Sequence, residues 1–372
     1  MDFVIVGGGV YGAGVAWELA KRGAGVLLLE ARQIAGGASG GLGKRGVRAN
    51  GRDLRELPLM RLAYELWPSL ADEVGAPTGY ERTGNLQLIE QERDYHGAPA
   101  RAWAQEQQGI PTQVLGAEAL REIEPDLSER VIAALYCPKD GVADHTATTR
   151  ALAQAAQRLG VVIREDTPVS SLERRGDRMT AVITAQQERI AVDRTLLLLS
   201  NTHVPVLLHE QLGITLPVWR ILPQVVLTEP VAPVTVRHLI GHAHRRLAVK
   251  STPNGHAMTS GGWRGRWNPA SGRGDTLDDQ VQGNVAEAVA VYPGLEGARI
   301  IEAAADRPES QSVDGLPIID LVPGIANAFF ATGWTGHGWA IAPAVCRLLA
   351  AWANSGETPA LLRPFAYRRF LM

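Results

Sequence analysis

The chain is poor in cysteine, with only Cys137 and Cys346 among 372 residues. Two thiols cannot build a disulfide framework or a four-thiolate zinc site. Net charge is also scarce: 37 basic against 39 acidic residues leave a formal charge of −2. No basic or acidic tail marks a nucleic-acid partner, and none is expected. Long apolar runs are missing too. The run near 195–199 is strand-sized, and none approaches the roughly 18 residues of a membrane helix. The first residues carry no basic n-region and no apolar segment of signal-peptide length. These absences predict a cytoplasmic protein, with contact at the periphery of the inner membrane left open.

Glycine is what the chain has in excess. There are 40 in 372 residues, about 11% against an average near 7%. They bunch at 7–14, 36–46, 261–265 and 333–338. Bunched glycine in a well-mixed sequence points to backbone that approaches something closely. At roughly 150 residues per domain, the length suggests two lobes.

The first thirty residues make the strongest case. Phe3-Val4-Ile5-Val6 reads as a buried parallel strand, residues 10–22 as a helix stopped by Gly23, and Val26 to Leu29 as a second buried strand. Between strand and helix stands Gly7-Gly8-Gly9-Val10-Tyr11-Gly12, which satisfies G-x-G-x-x-G. Gly7 permits the tight turn, Gly9 lets a pyrophosphate meet the helix N-terminus, and Gly12 lets helix and strand pack closely. Glu30, 23 residues after Gly7, is placed to accept from a ribose hydroxyl. The pattern indicates an adenine dinucleotide without separating NAD from FAD.

Three further segments bear on that choice. Ala31 and Arg32 lead into Gln33-Ile34-Ala35-Gly36-Gly37 and then Ala38-Ser39-Gly40-Gly41. Near the other end stand Asp314-Gly315-Leu316-Pro317 and Gly333-Trp334-Thr335-Gly336-His337-Gly338-Trp339. With the N-terminal fingerprint, these resemble the D-amino acid oxidase superfamily of FAD enzymes. That superfamily includes glycine oxidase, sarcosine oxidase and the β subunits of opine, proline and hydroxyproline dehydrogenases. The resemblance implies an α/β Rossmann-like FAD-binding domain and a mixed-sheet α+β substrate domain. The first would be discontinuous, over 1–78, 141–215 and 305–372; the second would hold 79–140 and 216–304. It also implies that Ala38 to Gly41 pass along the cofactor and that 333–338 approach the flavin ring. A helix over 340–354, with Pro343 in its first turn, would then point its positive end at the flavin carbonyl edge.

The middle of the chain reads as helices over 55–74, 93–108, 117–124 and 146–159, with Thr146 as an N-cap, a hairpin over 179–192 and a strand over 195–199. In the family Val169 lies on a strand passing the adenine. Relatives show a small-residue turn with glycine after the last of these strands; here Ser200-Asn201-Thr202-His203 stands instead. Ser200 and Asn201 are retained as cofactor candidates, and His203 reads as a helix-entry residue. Residues 216–260 are strand-rich, and 277–292 read as a helix.

The resemblance implies oxidation of a carbon–nitrogen bond in an amino acid or secondary amine. Hydride would leave the α-carbon for flavin N5, and the imine would hydrolyse. A substrate carboxylate calls for arginine, a planar bidentate donor. Arg45 and Arg48, six and nine residues after Ser39, match the spacing of two arginines in monomeric sarcosine oxidases. Arg307 falls near the carboxylate-binding arginine of glycine oxidases, two residues out of register. It also stands where monomeric sarcosine oxidases tether flavin through cysteine, so a non-covalent FAD is expected and Cys346 reads as a core thiol. His337 is a candidate for contact with ring or substrate, against simple packing. Trp334 and Trp339 read as pocket walls or core. The pair His242 and His244 has no acid nearby in sequence, and no metal is expected.

The electron acceptor stays open between oxygen, a quinone and a partner subunit, as does homo- or hetero-oligomerisation. A second reading is an FAD-binding or electron-relay subunit without catalysis of its own. A third is an NAD-linked dehydrogenase.

Overall fold

The computed structural model describes residues 1–39 and 43–371. The chain begins β1 (Phe3–Val6), α1 (Val10–Ala20), β2 (Val26–Leu29), β3 (Lys44–Val47) and α2 (Leu57–Val74). Next come β4 (Asn85–Ile89), α3 (Glu92–Gln107), β5 (Gln113–Gly116), α4 (Ala117–Ile123), β6 (Ala133–Cys137), β7 (Gly141–Asp144) and α5 (His145–Arg158). Then β8 (Val162–Arg164), β9 (Val169–Arg175), β10 (Arg178–Thr184), β11 (Arg189–Ala191), β12 (Thr195–Leu198) and α6 (Val204–Leu212). The second half runs β13 (Val218–Ile221), β14 (Val225–Pro230), β15 (Leu239–His242), β16 (Ala248–Ser251), β17 (His256–Ser260), β18 (Arg266–Asn268), β19 (Arg273–Asp275) and α7 (Asp278–Val291). It closes with β20 (Ile300–Ala304), β21 (Glu309–Ser312), β22 (Ile318–Leu321), β23 (Ala328–Thr332) and α8 (Gly338–Ser355).

Two sheets organise these elements. The first is ordered β22-β23-β12-β1-β2-β8. It is parallel except where β22 meets β23. Its strands β1 and β2 are apolar at every position, and β12 at all but Thr195, because both faces are covered. Phe3, Ile5 and Leu28 pack under α1, α2, α5 and α8. Val4, Val6, Leu27 and Leu29 face the β9–β11 layer and α6 instead. Each such side chain contributes about 1.5–3 kcal/mol on burial.

The second sheet, β20-β14-β17-β16-β15-β4-β6-β5, is mixed. It is antiparallel throughout except for β15 beside β4. Three short ladders, β3 with β7, β13 with β21 and β18 with β19, and the three-stranded β9–β11 layer lie outside both sheets. The chain therefore has the expected α/β plus mixed-sheet architecture. No described helix is long and apolar enough to cross a membrane.

Some local expectations need correction. Asp144, not Thr146, caps α5, accepting from the N–H groups of Thr146 and Ala147 at 2.9 Å each. A carboxylate at the N-cap reaches the same orphan donors and adds charge to the dipole interaction. Helix α8 starts at Gly338, so Pro343 falls in its second turn. His203 does sit at the entry of α6.

The packing of β1 on α1 is the tightest point of the first sheet. A Cβ on Gly12 would stand 1.7 Å from the Gly7 carbonyl oxygen. Gly12→Ala is expected to lower stability by about 1–3 kcal/mol or more through overpacking. Urea unfolding checks this, and an unchanged midpoint would contradict it.

Candidate functional site

The carboxyl ends of β1 and β12 lie side by side, the place where open α/β sheets bind ligands. Gly7 follows β1 at φ +114°, and a Cβ there would lie 2.8 Å from the Leu199 and Ser200 backbone. Gly9 is the extended N-cap of α1 and has open space before it. No side chain caps this helix, so its first N–H groups are left for a phosphate. The carboxylate of Glu30 is held by the N–H groups of Gly8 at 2.6 Å and Arg32 at 2.9 Å. Ala31 and Arg32 are exposed, and Val169 is buried at the start of β9.

Ser200 presents a buried hydroxyl without a hydrogen-bond partner among the described residues. Asn201 adopts φ +50°, a region asparagine tolerates. That explains how this chain makes the turn without a glycine. Asn201 Nδ2 donates to Glu309 at 2.9 Å, its Oδ1 accepts from Ser310, and its carbonyl accepts from Thr332 at 2.9 Å. Ser39 reaches the same Glu309 carboxylate at 3.2 Å. Burial pushes Glu309 above its usual range despite these donors. The open helix terminus, the glycine cradle and the orphaned Ser200 hydroxyl together fit a dinucleotide.

From Ser39 a cavity of about 390 Å³ opens between the β3 region, the N-terminus of α8 and strands β15 to β17. It brings Arg45, Arg48 and His337 together. Arg48 Nη2 lies 3.4 Å from His337 Nε2. A guanidinium only donates, so Nε2 is the acceptor. Burial, then Arg48, Arg52 and Arg264, hold His337 well below its ordinary value, hence neutral. Burial brings Arg45 and Arg48 each down to about 10, still charged near neutrality. The buried Lys250 of β16 also lines the cavity, lowered to about 7 by burial and then Arg45.

Other sequence candidates land elsewhere. Arg307 does not line the cavity; its Nη1 donates to the Ala38 carbonyl at 3.4 Å and its Nε lies 3.6 Å from Asp306. Tyr11 and Trp334 stack on each other, ring centres 3.7 Å apart and planes within 6°. Tyr11 also donates to the Gly338 carbonyl at 2.5 Å. Trp334 is therefore core, whereas Trp339 lines the cavity with a buried indole N–H that has no partner among the described residues. Gly333 and Gly336, both at φ +74°, flank this turn. Cys346 is buried under α1. Gly40 and Gly41 lie outside the described residues.

An acid does approach the histidine pair in space. Glu90, at the end of β4, lies 3.8 Å from Nε2 of both His242 and His244. Arg245 already grips that carboxylate at 2.7 and 3.0 Å. His242 Nδ1 accepts two backbone N–H groups, so its proton sits on Nε2. A cation bound there would need that nitrogen bare.

Sequence reading missed the supports of Arg48. Arg52 donates from Nε to the Arg48 carbonyl at 2.6 Å, from Nη1 to Glu56 at 2.9 Å and from Nη2 to the His337 carbonyl. Asp140 accepts from the N–H groups of Ala49 at 2.6 Å and Asn50 at 3.1 Å and from the Tyr64 hydroxyl. The four-residue spacing of Arg52 and Glu56 was the available signal; Asp140 offered none.

A dinucleotide cradle opening onto a cation-lined cavity fits a dinucleotide-dependent oxidoreductase, and the family to which the chain belongs makes that dinucleotide FAD. The chain belongs to the family described as FAD dependent oxidoreductase, which it matches over residues 2–352. It is 27% identical to the sarcosine oxidase subunit beta of Arthrobacter sp, covering 99% of this chain and 91% of that one. It is 26% identical to the glycine oxidase of Geobacillus kaustophilus (strain HTA426), covering 100% and 97%. The solved L-proline dehydrogenase of P. horikoshii superposes with a TM-score of 0.90 at 25% identity, over 99% and 97% of the two chains.

Burial pushes Asp140 up to about 6, against the opposing pull of its three donors and Arg48. A raised carboxyl binds more protons folded than unfolded between about pH 4 and pH 6. Its contribution is full below the unfolded value and is lost as pH rises through about 6. Asp140→Asn turns an acceptor into a donor facing N–H groups and is expected to cost about 1–3 kcal/mol. In urea unfolding, the stability of the wild type relative to this variant should fall between about pH 4 and 6. A flat difference across that range would refute it.

Proposed function

We propose that the protein oxidises the carbon–nitrogen bond of an amino acid or secondary amine that carries a carboxylate. The α-carbon would give up hydride, and the imine would hydrolyse to an oxo acid or aldehyde. FAD, when bound, supplies the hydride acceptor. The domain division expected from sequence is part of this reading, with substrate held between the two lobes. So is a non-covalent cofactor, because arginine stands at 307.

The observation that supports it best is Arg48 beside a neutral His337 in one cavity at the N-terminus of α8. Arg48 is fixed from behind by Asn50 and the backbone around it, so its fork is preorganised for a carboxylate. A cation-lined cavity also repels an ammonium ion. That lowers the pKa of a bound substrate amine and favours the neutral form that can lose hydride. His337, uncharged, adds no further positive charge. The glycine oxidase and sarcosine oxidase likenesses favour this substrate class.

The test is anaerobic mixing of the flavin-loaded protein with glycine, sarcosine, proline and N-carboxyalkyl amino acids, followed at the flavin band. At least one should bleach it. Failure across the panel would favour a relay subunit. Arg48→Met should raise KM for a reacting acid about 10- to 100-fold, the loss of a charged hydrogen-bond pair. An unchanged KM would move the carboxylate elsewhere. Reoxidation in air within seconds or over hours separates an oxidase from a dehydrogenase.

A further inference from the structure

The described cavity lining contains six cationic side chains and no aspartate or glutamate. Two of the six are neutralised: Arg52 by Glu56, and Arg245 by Glu90 and Glu287. Arg48, Lys250 and Arg264 have no carboxylate oxygen within 4.0 Å among the described residues. Arg48 engages the Asn50 carbonyl and His337. Arg264 engages the Gln311 amide oxygen at 3.4 Å. Lys250 is 7% exposed, on a central strand of the mixed sheet, and no described side chain accepts from it.

Lys250 is buried with only the like charge of Arg45 acting on it, whereas Asp140 and Glu56 act on Arg48, and Glu309 on Arg264, only from beyond ion-pair distance; cations so placed are costly, and they persist where a ligand brings the anion. One carboxylate on Arg48 answers one of the three. If a second is reserved for the negative charge of a reduced flavin, a third still lacks an anion. Lys250 belongs to a different wall from Arg48: it rises from β16, whereas Arg48 follows β3. Its nearest charged influence is the like charge of Arg45. A single small carboxylate on Arg48 therefore leaves the β16 wall unanswered.

We propose that this cavity selects a substrate with two carboxylates on one amine-bearing skeleton. Such a substrate is an N-carboxyalkyl amino acid or an acidic amino acid. Arg48 receives the α-carboxylate, and Lys250 with Arg264 receives the second. This rests on the cavity being the substrate site. Monocarboxylic amines are then poor ligands because they leave the second pole desolvated and unpaired.

The test separates the two claims. Flavin-loaded protein is titrated with glutarate and with butyrate, neither of which has an amine to oxidise, and binding is read from the shift of the flavin spectrum. Glutarate is expected to bind about 10-fold tighter or more, the worth of one further charged hydrogen bond. Lys250→Met should bring the ratio near one, and Lys250→Arg should keep most of it. Equal binding of the two acids to the wild type overturns the proposal, whether or not any variant folds. A ratio preserved in Lys250→Met overturns the role of that residue. A glutarate preference in a protein that no amine bleaches supports the two-carboxylate site and sinks the catalytic reading. Bleaching by sarcosine or proline without a glutarate preference does the reverse.

Discussion

One buried guanidinium holds the site together. Arg52 is 3% exposed and ties its own segment, 48–56, to the start of α8 and to α3. Its donors reach the carbonyl behind Arg48, the Glu56 carboxylate and the carbonyl of His337 at the start of α8. Arg101 in turn donates to the Arg52 carbonyl. A planar fork with fixed donor directions suits this task better than an ammonium. Through it Arg48 and the N-terminus of α8 are set relative to each other. Removing one end of such a buried pair strands the other.

The charge pattern follows from that frame. Arg52, buried, and Arg245, half-buried, line the cavity, each with a carboxylate of its own. The remaining cations face the cavity, where burial lowers both Arg48 and Lys250. Positive potential focused in a low-dielectric space does two jobs. It attracts carboxylates, and it discourages protonation of a nearby amine or of His337.

Much of this was legible in the sequence, for particular reasons. The glycines at 7 and 12 meet steric demands that a side chain would violate, and Gly9 leaves open space before the helix, so spacing alone located the cradle. The strands β1, β2 and β12 read correctly because burial on both faces leaves no polar position but Thr195. Arg48 and His337 were found by likeness of motif, and they share a cavity. Lys250, Glu309 and Asp140 were not found. Each matters because another segment comes beside it: β3 for Lys250, Asn201 for Glu309, the turn after Arg48 for Asp140. Such meetings depend on sheet order, which periodicity does not encode. Trp334 read as pocket wall or core, and its ring stacks on Tyr11 from the first helix, a partner that spacing did not announce. The glycine pair at 261–262 now has a place as well. Both residues are at φ above +110° and line the cavity beside Arg264.

The central claim is that carboxylate recognition in this cavity positions an amine for oxidation. The most direct measurement compares proline with pyrrolidine, the same ring without its carboxylate, in anaerobic reduction of the flavin-loaded protein at saturating and subsaturating concentrations. The same comparison is made between an N-carboxyalkyl amino acid and its decarboxylated amine. The account predicts reduction by the acid of at least one pair and none by its decarboxylated partner at matched concentration. Equal rates within both pairs would contradict it.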